Sequence, residues 1–351
     1  MGVIKNRHFG LDAVRAIAIA VVVLSHSFTL LTNAHPLFNH LQLFDGVDLF
    51  FVLSGLLIGQ IILDSDIKTF SSVKLFLIRR WLRTLPNYYL FLIINIALIY
   101  FGLAPGMLSK ASVYYIVFLQ NLFKPIDIMF WESWSLVVEE WFYLVLPAII
   151  FIISRIIKSK HVTYLSSVLL LFSYSLISKF VFIHHHPTFN YNLDFRNIAI
   201  YRFDTLCFGL LLAYFTTSKL TIIKSLKWAG LLIFFLYFMF RSDISNPILI
   251  LYSSAFGCSG LIIFLYNFPT SNLFFRSGVE LTSKISYSMY LVHLPLFYVL
   301  KPYFINQTGM TAFLGFLIYG SLVYLISFIN YNYFESYFLK LRGNRFSVFK
   351  V

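Results

Sequence analysis

LDAVRAIAIAVVVLSH, residues 11–26, is the kind of apolar run that crosses a membrane as a helix, yet it carries Arg15 near one end and His26 near the other. A run of roughly 17 to 25 apolar residues spans the hydrocarbon. An ionisable side chain at its centre costs at least about 2.5–3.5 kcal/mol, so each one within a span is a functional hypothesis. Eleven residues separate the pair, about 16 Å along the axis, and three turns place both on nearly the same face. The basic residues ahead of the run resemble a signal peptide. The run is too long and lacks a small-residue cleavage pattern, so it is expected to stay as the first span.

Outward from this stretch the same pattern recurs along almost the whole chain. Of 351 residues, 59% are hydrophobic and 12% charged, against about 25% charged in soluble domains, and the mean hydropathy is +0.81. Spans are expected near 11–32, 43–63, 85–103, 134–156, 162–183, 198–215, 226–241, 247–267, 285–304 and 311–334. The predicted fold is an all-α, polytopic transmembrane bundle of about ten spans, forming a single domain over 1–351. Two connections are longer than the rest: Asp64–Thr84, and Leu103–Ser133 with its apolar stretch Ala111–Phe123, too short to span and expected to be re-entrant or interfacial.

The formal charge of +13 follows topology. With a cytoplasmic N-terminus, the inside segments collect Lys5 and Arg7; Lys68, Lys74, Arg79, Arg80 and Arg83; Arg155, Lys158 and Lys160; Lys219, Lys224 and Lys227; Arg276 and Lys284; and Lys340, Arg342, Arg345 and Lys350. The outside loops hold only Lys110, Lys124, Arg196, Arg241 and Lys301. This asymmetry predicts both termini in the cytoplasm. Anionic lipid of the inner leaflet accounts for the basicity, leaving no folded basic surface for nucleic acid. Cys207 and Cys258 both fall in spans without metal-ligand spacing, so neither disulfide nor zinc is expected.

Placed by depth, the polar residues within the spans form two zones. Asp45 and Asp48 open the second span from outside; Trp134, Ser135, Glu139 and Glu140 open the fourth; Arg202 and Asp204 open the sixth; all share the outer third with His26. On the inner side Arg79, Arg80 and Arg83 form a cationic mouth suited to phosphates. Each group also has a structural reading. Taken alone, the arginine run reads first as a topology anchor; Glu139 and Arg202 read also as mutual neutralisers, and His293 as a helix–helix hydrogen bonder. Lys179 is expected to snorkel outward. Adjacent His184, His185 and His186 cannot easily turn to one ion, and no metal is expected.

Six strings then appear in order: LDAVRAIAIA with LSH at 24–26, GVDLFFVLSG at 46–55, RRWLRTLP at 79–86, WSLVVEEWFY at 134–143, RFD at 202–204 and SYSMYLVH at 286–293. Together they resemble the acyltransferase-3 family of integral membrane acyltransferases, over about residues 9–295. The resemblance maps the hallmark arginine and histidine onto Arg15 and His26, an RxxR pair onto Arg80 and Arg83, and a glutamate onto Glu139. It implies an acyl coenzyme A donor from the cytoplasm and a sugar hydroxyl as acceptor on the far side. Some relatives carry a soluble hydrolase-like domain after the last span, and none is expected here. Either the membrane domain suffices, or a separate extracytoplasmic partner handles the acceptor.

The expected activity is O-acetyl transfer from acetyl-CoA to a cell-surface or lipid-linked glycan, in a bacterial cytoplasmic (inner) membrane, with no metal. His26 is the expected base, with Glu139 orienting or stabilising its imidazole. Arg15, Arg79, Arg80 and Arg83 are expected at the donor's phosphates. Asp48, Trp134, Ser135, Arg202, Asp204 and His293 are expected to line the acceptor site. Arg15 alternatively holds Asp12 or supports the helix. Whether His26 is a base or an acyl carrier stays open. Two further readings remain: a transporter or flippase of lipid-linked sugars, whose pathways also carry buried Arg, His and Glu, and a non-catalytic membrane assembly protein.

Overall fold

The computed structural model describes residues 8–30, 43–65, 67, 69–126, 128–218, 225–266, 268, 272–304 and 306–345. Of the residues expected on the cytoplasmic face, Lys5, Arg7, Lys68, Lys219, Lys224 and Lys350 lie outside these, as does the side chain of Arg345. The described residues contain no strand. The helices are α1 (Phe9–Ser27), α2 (Gly46–Asp64), α3 (Phe70–Tyr100), α4 (Ser133–Ile156), α5 (Lys160–His185), α6 (Phe203–Ser218), α7 (Lys227–Phe240), α8 (Pro247–Tyr266), α9 (Leu273–Phe304), α10 (Gly309–Asn330) and α11 (Ser336–Arg345).

Eight helical stretches among the described residues are long and apolar enough to cross a membrane. The two other expected spans correspond to α7, only 14 residues long, and to α9, 32 residues long, where His293, Lys301 and several Ser, Tyr and Pro residues dilute the apolar run of 285–304.

The expected long connection Asp64–Thr84 is corrected. Thr69 and Ser72 form a capping box that starts α3 at Phe70, and the helix runs through Pro86 to Tyr100. Arg79, Arg80 and Arg83 therefore sit on a helix, Arg80 about 15 Å from its start. Arginine is a good helix former, and the Arg80 guanidinium lies 5.6 Å from the ring centres of both Phe76 and Tyr143.

Among the described residues, the 103–132 connection forms no spanning helix; part of it is buried and part, including Val113, Ile116 and Val117, stays exposed. A 3₁₀ turn, Lys110–Tyr115, is followed by tight turns that bury Tyr115, Phe118, Leu122, Gln120 and Asn121. Its carbonyls are taken up by the bundle: Tyr88 Oη donates to Tyr115 O at 2.7 Å and Trp141 Nε1 to Phe118 O at 2.7 Å. Phe118 reaches this position with φ of 57°, a conformation rare for a non-glycine residue. Such backbone is tolerated at membrane depth when buried in protein.

The tightest helix contact joins α2 to α6. Gly55 and Gly59 face Gly209 and Ala213, a small-residue seam on each helix. A Cβ at Gly55 would lie 2.0 Å from Leu206 O, and one at Gly209 2.0 Å from Val52 O. This approach brings Asp48 on α2 into a buried ion pair with Arg202, while Asp204 pairs with Lys179 of α5. Lys179 is thus wholly buried, with its ammonium 4.7 Å from the Tyr252 ring centre, rather than snorkelling. The carboxylate of Asp204 supplies what the lipid surface could not. Helix α1 runs through the assembly, packed on α2, α8, α9 and α10.

Candidate active site

Two cavities meet near the middle of the bundle. The inner one, about 100 Å³, is lined by α1, α2, α3, α4 and α9, with Arg15, Arg80, Arg83, Glu139, Tyr143 and Tyr290 among its polar walls. Arg15 Nη1 donates to Ser283 Oγ at 3.1 Å and lies 3.5 Å from Asp12 Oδ1. Ser283 Oγ donates in turn to Asp12 at 2.6 Å. Glu139 accepts from Ser54 Oγ at 2.8 Å and from Tyr143 Oη at 2.6 Å. Its neighbour Glu140 accepts from Thr84 Oγ1 at 2.5 Å. The acidic motif of α4 and the basic motif of α3 are thereby stitched together, although they stand far apart in sequence.

The outer cavity is roomier, about 560 Å³, and carries His26 with Asp45, Asp48, Tyr191, Arg196 and Arg241. Asp45 caps α2 by accepting from Val47 N at 2.9 Å, and also accepts from Arg196 Nε at 3.0 Å. The Arg196 guanidinium lies 4.8 Å from the Trp134 ring centre. Burial works against its charge, but the carboxylates of Asp45 and Asp48 outweigh it and hold Arg196 further above its usual range. Burial pushes the Tyr191 phenol up to about 12, so it stays a neutral donor. Val47 lines both cavities.

Between them stands a short polar relay. His26 meets His293 with ring centres 5.2 Å apart, and His293 lies 5.5 Å from Tyr290. His293 is buried; its Nδ1–H donates to Tyr290 O at 2.5 Å, and Tyr319 Oη donates to His293 O at 3.1 Å. Tyr290 Oη lies 2.6 Å from Ser135 Oγ and donates to Glu132 O at 2.9 Å.

The residues singled out in the sequence therefore divide. Arg15, Arg80, Arg83, Glu139 and Ser135 gather at the inner cavity, and His26 with Asp48 at the outer one; Trp134 stands beside it under Arg196. Arg79 is on α3 without lining either cavity. Arg202 and Asp204 are wholly buried in ion pairs. The carboxylate of Glu139 goes to Ser54 and Tyr143 instead of His26. Sequence reasoning passed over Ser54, Tyr143, Tyr290 and Arg196. The first three lie inside the quoted strings, and Tyr143 is one turn after Glu139. Arg196 carried no signal beyond a loop charge.

A family model described as an acyltransferase domain matches residues 8–331. The chain belongs to the acyltransferase-3 family. It is 26% identical, over 94% of its length, to "Putative O-acetyltransferase SACOL0978" of Staphylococcus aureus (strain COL). It is 25% identical, over 93% of its length, to "O-acetyltransferase OatA" of Staphylococcus aureus (strain NCTC 8325 / PS 47). The chain spans 57% and 56% of these two relatives, little more than half of each. No solved structure matches it significantly.

Proposed function

We propose that this protein is an integral membrane O-acetyltransferase that takes acetyl from acetyl-CoA at the inner cavity and delivers it to a glycan hydroxyl at the outer one. The observation that carries the reading is that a single helix, α1, presents Arg15 to one cavity and His26 to the other. The names of its relatives supply the acyl group and the atom it joins. In this reading the bundle crosses the cytoplasmic membrane about ten times, with both ends and the arginine mouth on the cytoplasmic side.

Arg80 and Arg83 present planar guanidiniums to phosphate oxygens at the mouth, and Arg15 continues that charge inward. His26 takes the proton of the acceptor hydroxyl as its oxygen attacks the thioester carbonyl. The carbon–sulfur bond breaks, and the imidazolium returns the proton to the departing thiolate. His293, tilted against His26 with ring centres 5.2 Å apart, limits the turning of its ring. Glu139 keeps the inner cavity polar and orders Tyr143 beside Arg80. Trp134 and Arg196 offer a flat face and donors to a sugar ring.

Membranes carrying the protein should transfer label from acetyl-CoA to a surface-glycan fraction, and His26→Ala should abolish transfer while the protein stays in the membrane. Retained transfer by that variant would remove His26 as the base. Arg80→Ala and Arg83→Ala should weaken donor binding; unchanged affinity would return both residues to the role of topology anchors. Mass spectrometry of surface glycans with and without the protein identifies the acceptor by a missing acetyl.

A further inference from the structure

The helical chain continues past residue 331, where the family match ends, and its last turns reach the inner arginines. Between α10 and α11 the backbone widens into a π turn, Tyr331–Glu335. Such turns are uncommon and concentrate at functional sites. This one carries Glu335 into the bundle, where its carboxylate is buried. Oε2 accepts from Asn87 Nδ2 at 3.0 Å and from Ser288 Oγ at 2.6 Å. Asn330 closes the network by donating to Ser288 Oγ at 2.8 Å and to Asn87 Oδ1 at 3.2 Å. Asn87 is one turn beyond Arg83 on α3. The clamp therefore grips α3 right beside its arginines.

Held in this way, α11 packs along α3 and brings Arg342 within electrostatic range of Arg79, Arg80 and Arg83. Arg80, Arg83 and Arg342 make no ion pair among the described residues. The nearest carboxylates are already engaged: Glu335 by Asn87 and Ser288, Glu139 by Ser54 and Tyr143, Glu140 by Thr84. Guanidiniums gathered with no carboxylate in direct contact repel one another, and Glu139, Glu140 and Glu335 act on Arg80 and Arg83 only from a distance. A bound polyanion turns that arrangement into a favourable one, because planar forks match phosphate oxygens two at a time. Two of these arginines also open into the inner cavity, which places the anion next to the chamber where the acyl group is needed.

We propose that Arg342 is a further binding residue of the donor site, gripping the phosphate-rich nucleotide end of an acyl thioester, and that Glu335 is the positioning residue that holds α11 over the mouth. This rests on the donor reading above. An anionic lipid headgroup shares the same phosphate chemistry, so the test separates the two sources.

The experiment measures calorimetric binding of coenzyme A, of pantetheine and of phosphatidylglycerol nanodiscs to purified full-length protein. Arg342→Ala should weaken coenzyme A about tenfold, equivalent to about 1.4 kcal/mol, leave phosphate-free pantetheine unchanged, and be partly rescued in Arg342→Lys. Glu335→Ala should show the same loss for coenzyme A alone. Glu335→Gln should restore it, since an amide oxygen also accepts from Asn87 and Ser288. Unchanged coenzyme A affinity in Arg342→Ala, an equal loss for pantetheine, or a loss confined to phosphatidylglycerol overturns the assignment. Normal coenzyme A binding by Glu335→Ala overturns the positioning role. A wild-type protein that binds coenzyme A but transfers no acetyl sinks the proposed activity while leaving this inference to be read from binding. One that binds no coenzyme A sinks both.

Discussion

Gly209→Ala adds one methyl group at the point where α2 and α6 come closest. Its Cβ would lie 2.0 Å from Val52 O, 2.5 Å from Leu56 N and 2.8 Å from Gly55 Cα, and real Cβ contacts stay above 3.0 Å. All three neighbours are backbone, so no rotamer change relieves the clash and the two helices must part by about 1 Å. Overpacking of this kind costs about 1–3 kcal/mol, while alanine recovers up to about 1 kcal/mol of helix propensity. Parting also pulls Asp48 from Arg202, which adds to the loss. The expected net destabilisation is about 1–3 kcal/mol. Gly278→Ala is the matched control: it also lies within a helix, with nothing within 4 Å of its would-be Cβ, so only the propensity gain applies. Denaturant midpoints of both variants in the same detergent give the comparison, with acetyl transfer measured alongside. Equal shifts of the same sign would refute the close approach of α2 and α6, and with it the way Asp48 is brought to Arg202.

Lys179→Met should cost about 3–5 kcal/mol by leaving the buried Asp204 carboxylate uncompensated, and Lys179→Met with Asp204→Asn should recover most of it. A single variant within about 1 kcal/mol of the parent would place the ammonium in a wet environment. Glu132 is buried, and among the described residues no other residue donates to either carboxylate oxygen; burial pushes its carboxyl well above the usual range. Folding therefore favours the protonated form, and the chain loses stability as pH rises through the unfolded value. Glu132→Gln should raise the unfolding midpoint at pH 8 and leave it nearly unchanged at pH 4, and an equal gain at both would refute this. Trp141→Phe removes the hydrogen bond to Phe118 O at a cost of about 1 kcal/mol, and limited proteolysis should then cut within 103–132 sooner. An unchanged cleavage rate would mean that the segment is held by its other contacts alone.

Fold class was legible because membrane helices announce themselves one at a time: a long apolar run must be helical whatever surrounds it. The missing information lay wherever partners decide. Arg79, Arg80 and Arg83 read as a loop by charge, yet the Thr69–Ser72 capping box starts α3 ahead of them and Arg80 lies against the Phe76 and Tyr143 rings. Lys179 read as a snorkelling residue because nothing in its own helix names Asp204, which lies 25 residues later. The same holds for Ala111–Phe123, whose hydropathy is real but whose place in the fold depends on distant groups that pin its carbonyls, among them the Tyr88, Tyr89 and Trp141 side chains. At the candidate site, residue types and depth located Arg15, His26 and Glu139. They did not separate the cavity of Glu139 from that of His26, because helical depth says nothing about the direction a side chain takes around its axis.

That separation constrains the chemistry. In the proposed reaction the phosphates bind beside Arg80 and Arg83, while the proton is taken at His26, and these lie in different cavities. The thioester must then cross the wall between them, and the wall is thin where Val47 faces both sides. Tyr290 forms the adjoining part, held by Ser135 and the carbonyl of Glu132, one turn before the histidine that touches His26. Arg15 and His26 are about 16 Å apart on one rigid helix. A donor gripped at its phosphates by arginines and extended along α1 therefore presents its acyl end toward His26, with no need for the protein to alternate its access between the two faces. A transporter with the same buried charges would have to open the wall to the whole substrate. An acyltransferase needs only a gap the width of a pantetheine arm, and the single residue Val47, shared by both cavities, marks where that gap would open.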